Sequence, residues 1–234
     1  MVAFRNAVEL GVPFVELDVR TCATGELVVI HDETLGRVAG VDVTVRELSL
    51  SELQSMDVGS HFDPALSACR VPTLLEVFES LRDDLCFNVE VKEESLRGDG
   101  TALGVGRLIH SMGLYSKTIV SSFNVGSLRR VRGLCHAPLA LIYPGAGGTA
   151  LRNLFTRSPW TAPLVSPYAL HPRETLVDAQ YVKRAHLRGL AINTWTVNTA
   201  ERIREMVLAG VSGIITDQPG LALEIVAELE QENS

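Results

Sequence analysis

Acidic side chains interrupt two apolar segments of the sequence at the same spacing. Glu16 and Asp18 are two residues apart in the first segment, and Glu90 and Lys92 are two residues apart in the second. Residues at this spacing on a β-strand share one face. Carboxylates on one face repel each other unless a cation lies between them, and their oxygens suit Mg²⁺ or Ca²⁺ better than zinc. The pattern predicts a divalent metal held by Glu16, Asp18 and Glu90, with Lys92 as a phosphate clamp. The alternatives are a solvated strand edge for Glu16 and Asp18 and a simple ion pair for Glu90 and Lys92.

A short hairpin is expected to bring a histidine to the same place. The apolar run 27–30 follows the turn signal Thr24-Gly25. Pairing about a two-residue turn at these positions places His31 opposite Asp18. Three carboxylates, a lysine and a histidine are therefore expected to converge near one end of two adjacent strands. The alternative is an ordinary histidine beside a turn.

Short β-rich runs alternate with amphipathic stretches along the rest of the chain, which predicts parallel βαβ units. The expected strands are 14–19, 85–91, 118–123, 139–143, 163–167, 190–197 and 213–216. The expected helices are 2–10, 73–83, 100–113, 125–134, 147–157, 173–188, 199–209 and 219–231. In an α/β barrel the catalytic groups project from the carboxyl ends of such strands, where the polar residues above lie.

The number of units is one short of a complete barrel. Helix 2–10 should close a unit whose strand would precede Met1, so we expect an α/β fold of the (β/α)8 TIM barrel type that lacks its first strand. A seven-stranded or doubly wound sheet stays open as the alternative. Residues 1–234 are expected to form a single domain. This domain is expected to contain an insertion at 35–70, after the second strand of the complete barrel, with a short helix at 49–56. Loops of this length usually carry function.

Composition excludes several classes of function. The 234 residues are 46% hydrophobic, and 21 Lys and Arg against 28 Asp and Glu give a formal net charge of −7. Nucleic acids are therefore poor partners, because binding them requires a basic face. No apolar run is long enough to span a bilayer, and the first residues lack a secretory pattern, so no membrane insertion is expected. The four cysteines, without C-x-x-C spacing, indicate free thiols in a reducing compartment and a cytoplasmic location. The oligomeric state stays open.

Several short motifs together resemble one known family. They are E-L-D-V at 16–19, V-I-H-D at 29–32, R-V-P-T-L at 70–74, N-V-E-V-K at 88–92, S-S-F at 121–123, W-T-V-N at 195–198 and G-I-I-T-D-Q-P at 213–219. In this order and spacing the chain is similar to the glycerophosphodiester phosphodiesterases. The resemblance implies a barrel with a small insertion and a metal-dependent hydrolysis in lipid and glycerol metabolism. Its products would be glycerol 3-phosphate and an alcohol.

The resemblance also implies roles for individual residues. The three carboxylates match the family's metal ligands, and His31 matches one of two catalytic histidines. Lys92 matches the lysine that contacts the phosphate in the catalytic centre. Trp195 matches an aromatic wall of the substrate pocket, and Phe123 is expected to line that pocket. For Trp195 the alternative is a packing role. The insertion is expected to cap the pocket and to tune which alcohol leaves.

The chain departs from the family pattern at its start. The family's H-R-G motif on the first strand and the following P-E-N-T have no counterpart, and the H-L-R-G at 186–189 is interpreted as a helix C-terminus with Gly189 in the left-handed region. We therefore expect impaired activity and poor solubility for these 234 residues alone. Two alternatives stay open: another phospholipase-C-like phosphodiesterase or lyase, and a catalytically silent barrel that binds metal and phosphate.

Overall fold

The computed structural model describes residues 1–93, 95, 97–143 and 164–232. They form two compact units. Unit 1 comprises Met1–Val120 and Arg130–Ala137, and unit 2 comprises Ser121–Arg129 and Pro138–Ser234. Within the described residues, no helix is both long and apolar enough to cross a bilayer.

Unit 1 contains the acidic segments and the insertion. In chain order its elements are α1 (Val2–Glu9), β1 (Phe14–Thr21), β2 (Leu27–Val29), α2 (Gly36–Ala39), α3 (Leu50–Ser55), α4 (Leu74–Leu81), β3 (Cys86–Val91) and α5 (Thr101–Met112). The strand β4 (Thr118–Ser122) and the helix α6 (Val125–Arg132) each have residues in both units. β1 pairs in parallel with β3 and antiparallel with β2. The predicted order of strands and helices is confirmed throughout this unit.

The β1–β2 hairpin has a register that differs by one residue from the sequence expectation. Val19 lies opposite Val29, and the Ile30 amide donates to the Asp18 carbonyl at 2.9 Å. The prediction that His31 lies opposite Asp18 is therefore wrong. The cause is the turn, which has three residues, 23–25, instead of two, and ends with Gly25 at a φ of 96°. A positive φ at the third position is typical of this turn class and favours glycine.

The insertion packs as a small core of its own against the hairpin. Leu35, Val45 and Leu53 from the insertion are buried together with Val28 and Ile30. Two of its helical turns begin with reciprocal capping boxes. The amides of Glu47 and Glu52 donate to the side chains of Thr44 and Ser49, respectively. The glutamate side chains in turn accept the amides of Thr44 and Ser49. The caps satisfy the free amide groups at each helix start. The predicted short helix at 49–56 is confirmed as α3.

The loop between β3 and α5 is anchored by a buried carboxylate. Glu93 is 3% exposed, and its Oε2 lies 2.6 Å from the Arg130 guanidinium while its Oε1 accepts the Asp99 amide at 2.7 Å. Asp99 in turn forms a 2.7 Å ion pair with Arg46 of the insertion. A side chain at Gly98 would collide with Arg130 at 2.8 Å. This chain of contacts fixes the backbone directly after Lys92.

Unit 2 continues the alternation of strands and helices. Its further elements are β5 (Leu139–Tyr143), β6 (Ala169–Pro172), α7 (Ala179–His186), β7 (Ala191–Thr194), α8 (Ala200–Ala209), β8 (Gly213–Ile214) and α9 (Pro219–Glu232). β5 to β8 are parallel and adjacent in chain order. The helix predicted at 147–157 and residue 163 lie outside the described residues.

Two sequence predictions in unit 2 are wrong in position. The strand expected at 163–167 is found instead at Ala169–Pro172, and Ser166, with a φ of 44°, is not in an extended conformation. The helix expected at 173–188 begins only at Ala179, because Asp178 accepts the Tyr181 amide and caps the helix there. Its C-terminal end was predicted correctly, with Gly189 at a φ of 71°.

A buried histidine lies in the middle of β6. His171 is 1% exposed, and its Nε2 accepts a hydrogen bond from the Asn193 side chain at 2.9 Å. Its Nδ1 has no partner among the described groups. Burial lowers the pKa of His171 to about 3. The Asn193 amide reaches this position because residue 213 is glycine; a Cβ there would lie 2.7 Å from Asn193 Oδ1.

All four cysteines are free thiols, as the sequence predicts. Cys22 and Cys135 are buried, and Cys69 and Cys86 are half-buried.

Candidate active site

Three carboxylates meet on one face of the paired strands β1 and β3. The parallel register places Asp18 opposite Glu90, and Glu16 lies two residues before Asp18 on the same face. One oxygen from each of Glu16, Asp18 and Glu90 lies within 4.8 Å of the others. Burial raises the pKa of Glu90, although the charge of Lys92 opposes this. The structure thus brings together the three residues that the sequence assigned to a metal.

Lys92 adds a positive charge to this cluster. Its Nζ lies 3.0 Å from Asp18 Oδ1 and 2.6 Å from Glu90 Oε1. Burial would lower the pKa of Lys92, but the two carboxylates outweigh burial and raise it, so the ammonium group stays charged. Three carboxylates and one ammonium leave a formal excess of two negative charges in a half-buried place. A single divalent cation would balance that excess.

Asn88 provides a further oxygen that sequence reasoning missed. It lies opposite Glu16 in the register and two residues before Glu90, so it shares the face of the carboxylates. The side chain is buried, and its Oδ1 has no hydrogen-bond partner among the described residues. A buried acceptor without a donor is costly, and carboxamide oxygens are ligands for hard cations. The residues present therefore fit a divalent metal.

His31 is held by its neighbours after the hairpin. Its Nδ1 lies 2.6 Å from Asp32 Oδ1, and Asp32 Oδ2 accepts the Arg37 Nε–H at 2.6 Å. Hydrogen bonds from Arg37 and His31 lower the pKa of Asp32, so its carboxylate stays ionised. The ionised Asp32 carboxylate accepts a hydrogen bond from Nδ1–H of His31. Nε2 of the exposed imidazole is then available for proton transfer.

The position of His31 is also fixed through its backbone. The Arg20 Nε–H donates to the His31 carbonyl at 3.0 Å. The Ile30 amide donates to the Asp18 carbonyl at 2.9 Å, so the hairpin holds the next residue, His31, close to the carboxylates. Asp32 and Arg37 were missed in the sequence, where the only signal was an acidic residue directly after the histidine.

Phe123 and Trp195 form an aromatic pair in unit 2. Their ring centroids are 5.8 Å apart with an interplanar angle of 86°, an edge-to-face contact. The indole Nε1–H of Trp195 donates to the His171 carbonyl at 2.8 Å, and its backbone carbonyl accepts the Glu174 amide at 2.7 Å. The 42% exposed ring of Phe123 completes a firmly held aromatic surface.

Asn198 joins two of the motifs that carried the resemblance. Its Oδ1 accepts the Asp217 amide at 2.9 Å and the Thr216 hydroxyl at 3.1 Å, and its Nδ2 donates to Asp217 Oδ2 at 2.7 Å. The asparagine of W-T-V-N therefore binds the end of I-I-T-D. The two motifs are therefore in direct contact in this structure.

The alternating strands, the acidic cluster and the sequence motifs together indicate the family of this chain. A sequence profile of the glycerophosphoryl diester phosphodiesterase family matches residues 1–221. The chain belongs to this family of phosphoric diester hydrolases.

Individual relatives resemble the chain over nearly its whole length. A glycerophosphodiester phosphodiesterase of Caldanaerobacter subterraneus subsp. tengcongensis is 34% identical over 227 residues, which cover 96% of this chain and 90% of that protein. The crystal structure of a glycerophosphodiester phosphodiesterase from Thermotoga maritima has a TM-score of 0.70 at 28% identity, covering 96% of this chain and 90% of that one. The structure of an Oleispira antarctica phosphodiesterase in complex with the product sn-glycerol-3-phosphate has a TM-score of 0.80 at 21% identity, covering 97% of this chain and 90% of that one. These likenesses confirm the predicted α/β barrel class.

Proposed function

We propose that this chain is a cytoplasmic, metal-dependent hydrolase that cleaves small glycerophosphodiesters into glycerol 3-phosphate and an alcohol. The observation that carries the proposal is the convergence of Glu16, Asp18, Glu90 and Lys92, with His31 held nearby. The product found in the Oleispira antarctica relative supports the same substrate class.

The acidic residues would hold the metal. Glu16, Asp18 and Glu90 are the proposed ligands of Mg²⁺ or Ca²⁺, and Asn88 offers a fourth oxygen on their face. When bound, the ion supplies positive charge that neutralises the phosphate and polarises its oxygens. Lys92 places a fixed ammonium beside the same position, where it can donate to a phosphate oxygen.

His31 is the proposed proton-transfer group. Hydrolysis breaks the P–O bond to the alcohol and adds the elements of water, so one proton must leave the attacking hydroxyl and one must reach the leaving alkoxide. The free Nε2 of His31 can perform one of these transfers, while Asp32 orients the ring through Nδ1. Removal of such a group typically lowers a rate by about 10² to 10⁴. The substrate contacts implied for Phe123 and Trp195 stay predictions.

Metal binding is tested by titration calorimetry with Ca²⁺ and Mg²⁺. We expect one ion per chain, and we expect Glu90→Gln to weaken its binding by more than about tenfold, because loss of even an outer-shell partner typically costs about 10- to 100-fold in metal affinity. Glu79→Gln, which neutralises an exposed carboxylate on α4, is the matched control and should bind as the parent chain does. Equal affinity in the parent chain and in Glu90→Gln would contradict the assignment of the ligands.

Turnover is tested by release of glycerol 3-phosphate from glycerophosphodiesters with and without metal. We expect release that stops when a chelator removes the metal and that drops strongly in His31→Asn. Binding of metal and glycerol 3-phosphate without any release would contradict the proposed hydrolase and identify a silent binding barrel instead.

A further inference from the structure

A cavity of about 360 Å³ lies in unit 1 next to the proposed metal and phosphate site. Its walls come from the end of β1, from the loop after β3 and from the insertion, which contributes Thr44, Val45 and Arg46. Lys92 belongs both to this cavity and to the acidic cluster. The volume falls within the usual range of small-molecule sites, about 300 to 1,000 Å³.

The walls of this cavity are held in place before any ligand binds. Arg46 reaches across from the insertion to Asp99, with 2.7 Å to its carboxylate and 2.9 Å to its carbonyl. The Asp99 carboxylate also receives the Thr101 hydroxyl at 2.6 Å, and its amide is bound by Glu93. Thr44 is fixed by its capping box. A preformed site loses little conformational freedom on binding, which favours affinity.

The charges of the described lining residues largely balance, which suits a neutral ligand. Among the described lining residues, three side chains are cationic and two are carboxylates, those of Glu33 and Asp99. Arg46 and Asp99 neutralise each other, and Lys92 is paired within the acidic cluster. Arg20 and Glu33 add one charge of each sign, and the Glu33 carboxylate has no hydrogen bond or ion pair to any described group. No aromatic ring is among the described lining residues, so a quaternary ammonium would find no cation–π cage.

The same lining suits a ligand with several hydroxyl groups. Each hydroxyl both donates and accepts a hydrogen bond. Arginine guanidinium groups supply donors, the free carboxylate of Glu33 supplies an acceptor, and the hydroxyls of Thr21, Thr44 and Ser95 add polar contacts.

We propose that this cavity is the subsite for the leaving alcohol and that it takes a small, neutral polyhydroxy alcohol such as glycerol in preference to choline or ethanolamine. This inference rests on the proposed function, because Lys92 places the phosphate at one wall of the cavity and the ester alcohol then extends into it. Glu33 and Arg46 are the specificity-determining residues.

The first experiment measures binding of whole diesters by calorimetry in saturating Ca²⁺. The titrations use His31→Asn so that the diesters are not consumed. Dimethyl phosphate, a diester without hydroxyl groups, reports on the metal and phosphate site alone, and its failure to bind would contradict the proposed function rather than the subsite. If it binds, we expect glycerophosphoglycerol to bind about tenfold more tightly than glycerophosphocholine or glycerophosphoethanolamine. Equal binding of the three diesters, or tighter binding of a cationic one, would overturn the subsite.

The second experiment tests the two assigned residues with matched controls. In the same background, Glu33→Gln should weaken the binding of glycerophosphoglycerol about fivefold and leave the binding of dimethyl phosphate unchanged. Arg46→Gln should reduce the preference for glycerophosphoglycerol over glycerophosphocholine about threefold or more, since it removes one positive charge. Glu79→Gln and Arg107→Gln, on exposed helix faces, should change neither ratio. Because Arg46→Gln also breaks the contact with Asp99, Glu33→Gln decides the result: an unchanged affinity for glycerophosphoglycerol there overturns the assignment.

Discussion

Asp32 lies between the imidazole of His31 and the guanidinium of Arg37, and its charge determines which ring nitrogen carries the proton. In Asp32→Asn the amide can donate to Nδ1 and stabilise the other tautomer, so Nε2 would lose its free lone pair. We expect kcat to fall by about 10² with little change in KM, because the metal and phosphate contacts remain. Steady-state rates of glycerol 3-phosphate release provide the measurement.

Arg37→Gln should give a smaller loss of kcat than Asp32→Asn, because the carboxylate remains and only its orientation is loosened. Arg107→Gln serves as the surface control. A normal kcat in Asp32→Asn would show that Asp32 does not position His31.

At the level of single residues, strand alternation alone was sufficient to predict that Glu16, Asp18, Glu90 and Lys92 converge. It could not identify Asn88, because an asparagine in a strand carries no charge that must be explained. It also could not place His31, because the opposite residue depends on whether the turn has two or three residues. The positive φ of Gly25 favours the three-residue turn.

At the level of elements, the loop after β3 depends on the buried pair of Glu93 and Arg130. Replacing Arg130 by Met leaves the Glu93 carboxylate without its ion-pair partner in a buried position, which typically costs about 3 kcal/mol or more of unfolding free energy. We expect this loss in denaturant unfolding of Arg130→Met. Arg129→Met, at the exposed neighbouring position of α6, should unfold like the parent chain.

The double variant Arg130→Met with Glu93→Gln should recover part of the loss, because no buried charge then remains unpaired. Equal stability of Arg130→Met and the parent chain would contradict a structural role for this pair.

The periodicity of the sequence predicted the order and type of the elements, but it misplaced one strand and the start of one helix. Val165 lies in an apolar stretch that resembles a strand, yet Ser166 adopts a positive φ and the strand forms after it. The amphipathic pattern from 173 continues into α7, but the side chain of Asp178 caps the helix and delays its start. In both places a single local backbone preference overrides the periodic pattern.

At the level of the whole molecule, the buried His171 makes folding depend on pH. Its pKa is about 3 in the folded state and near 6.5 in an unfolded chain, so below pH 6.5 the unfolded state binds more protons. Stability should therefore fall as the pH falls from about 6.5 towards 3, by roughly 1.4 kcal/mol per pH unit. Thermal unfolding between pH 7 and pH 5 measures this slope.

His171→Gln removes the titrating ring and should flatten the slope, while His61→Gln, at an exposed position in the insertion, should leave it unchanged. A parent slope no steeper than that of His171→Gln would show that this histidine does not contribute.

The three-residue turn of the β1–β2 hairpin also limits how the length of this protein can vary among its relatives. One residue added or removed between Cys22 and Glu26 would shift the register by one and exchange the two faces of β2, so that Val28 would leave the core. A change of two residues would restore the same faces. Length variation at this turn is therefore expected in steps of two, and substitutions within it should be restricted at Gly25 and at Thr24, whose hydroxyl accepts the Leu50 amide at 3.1 Å.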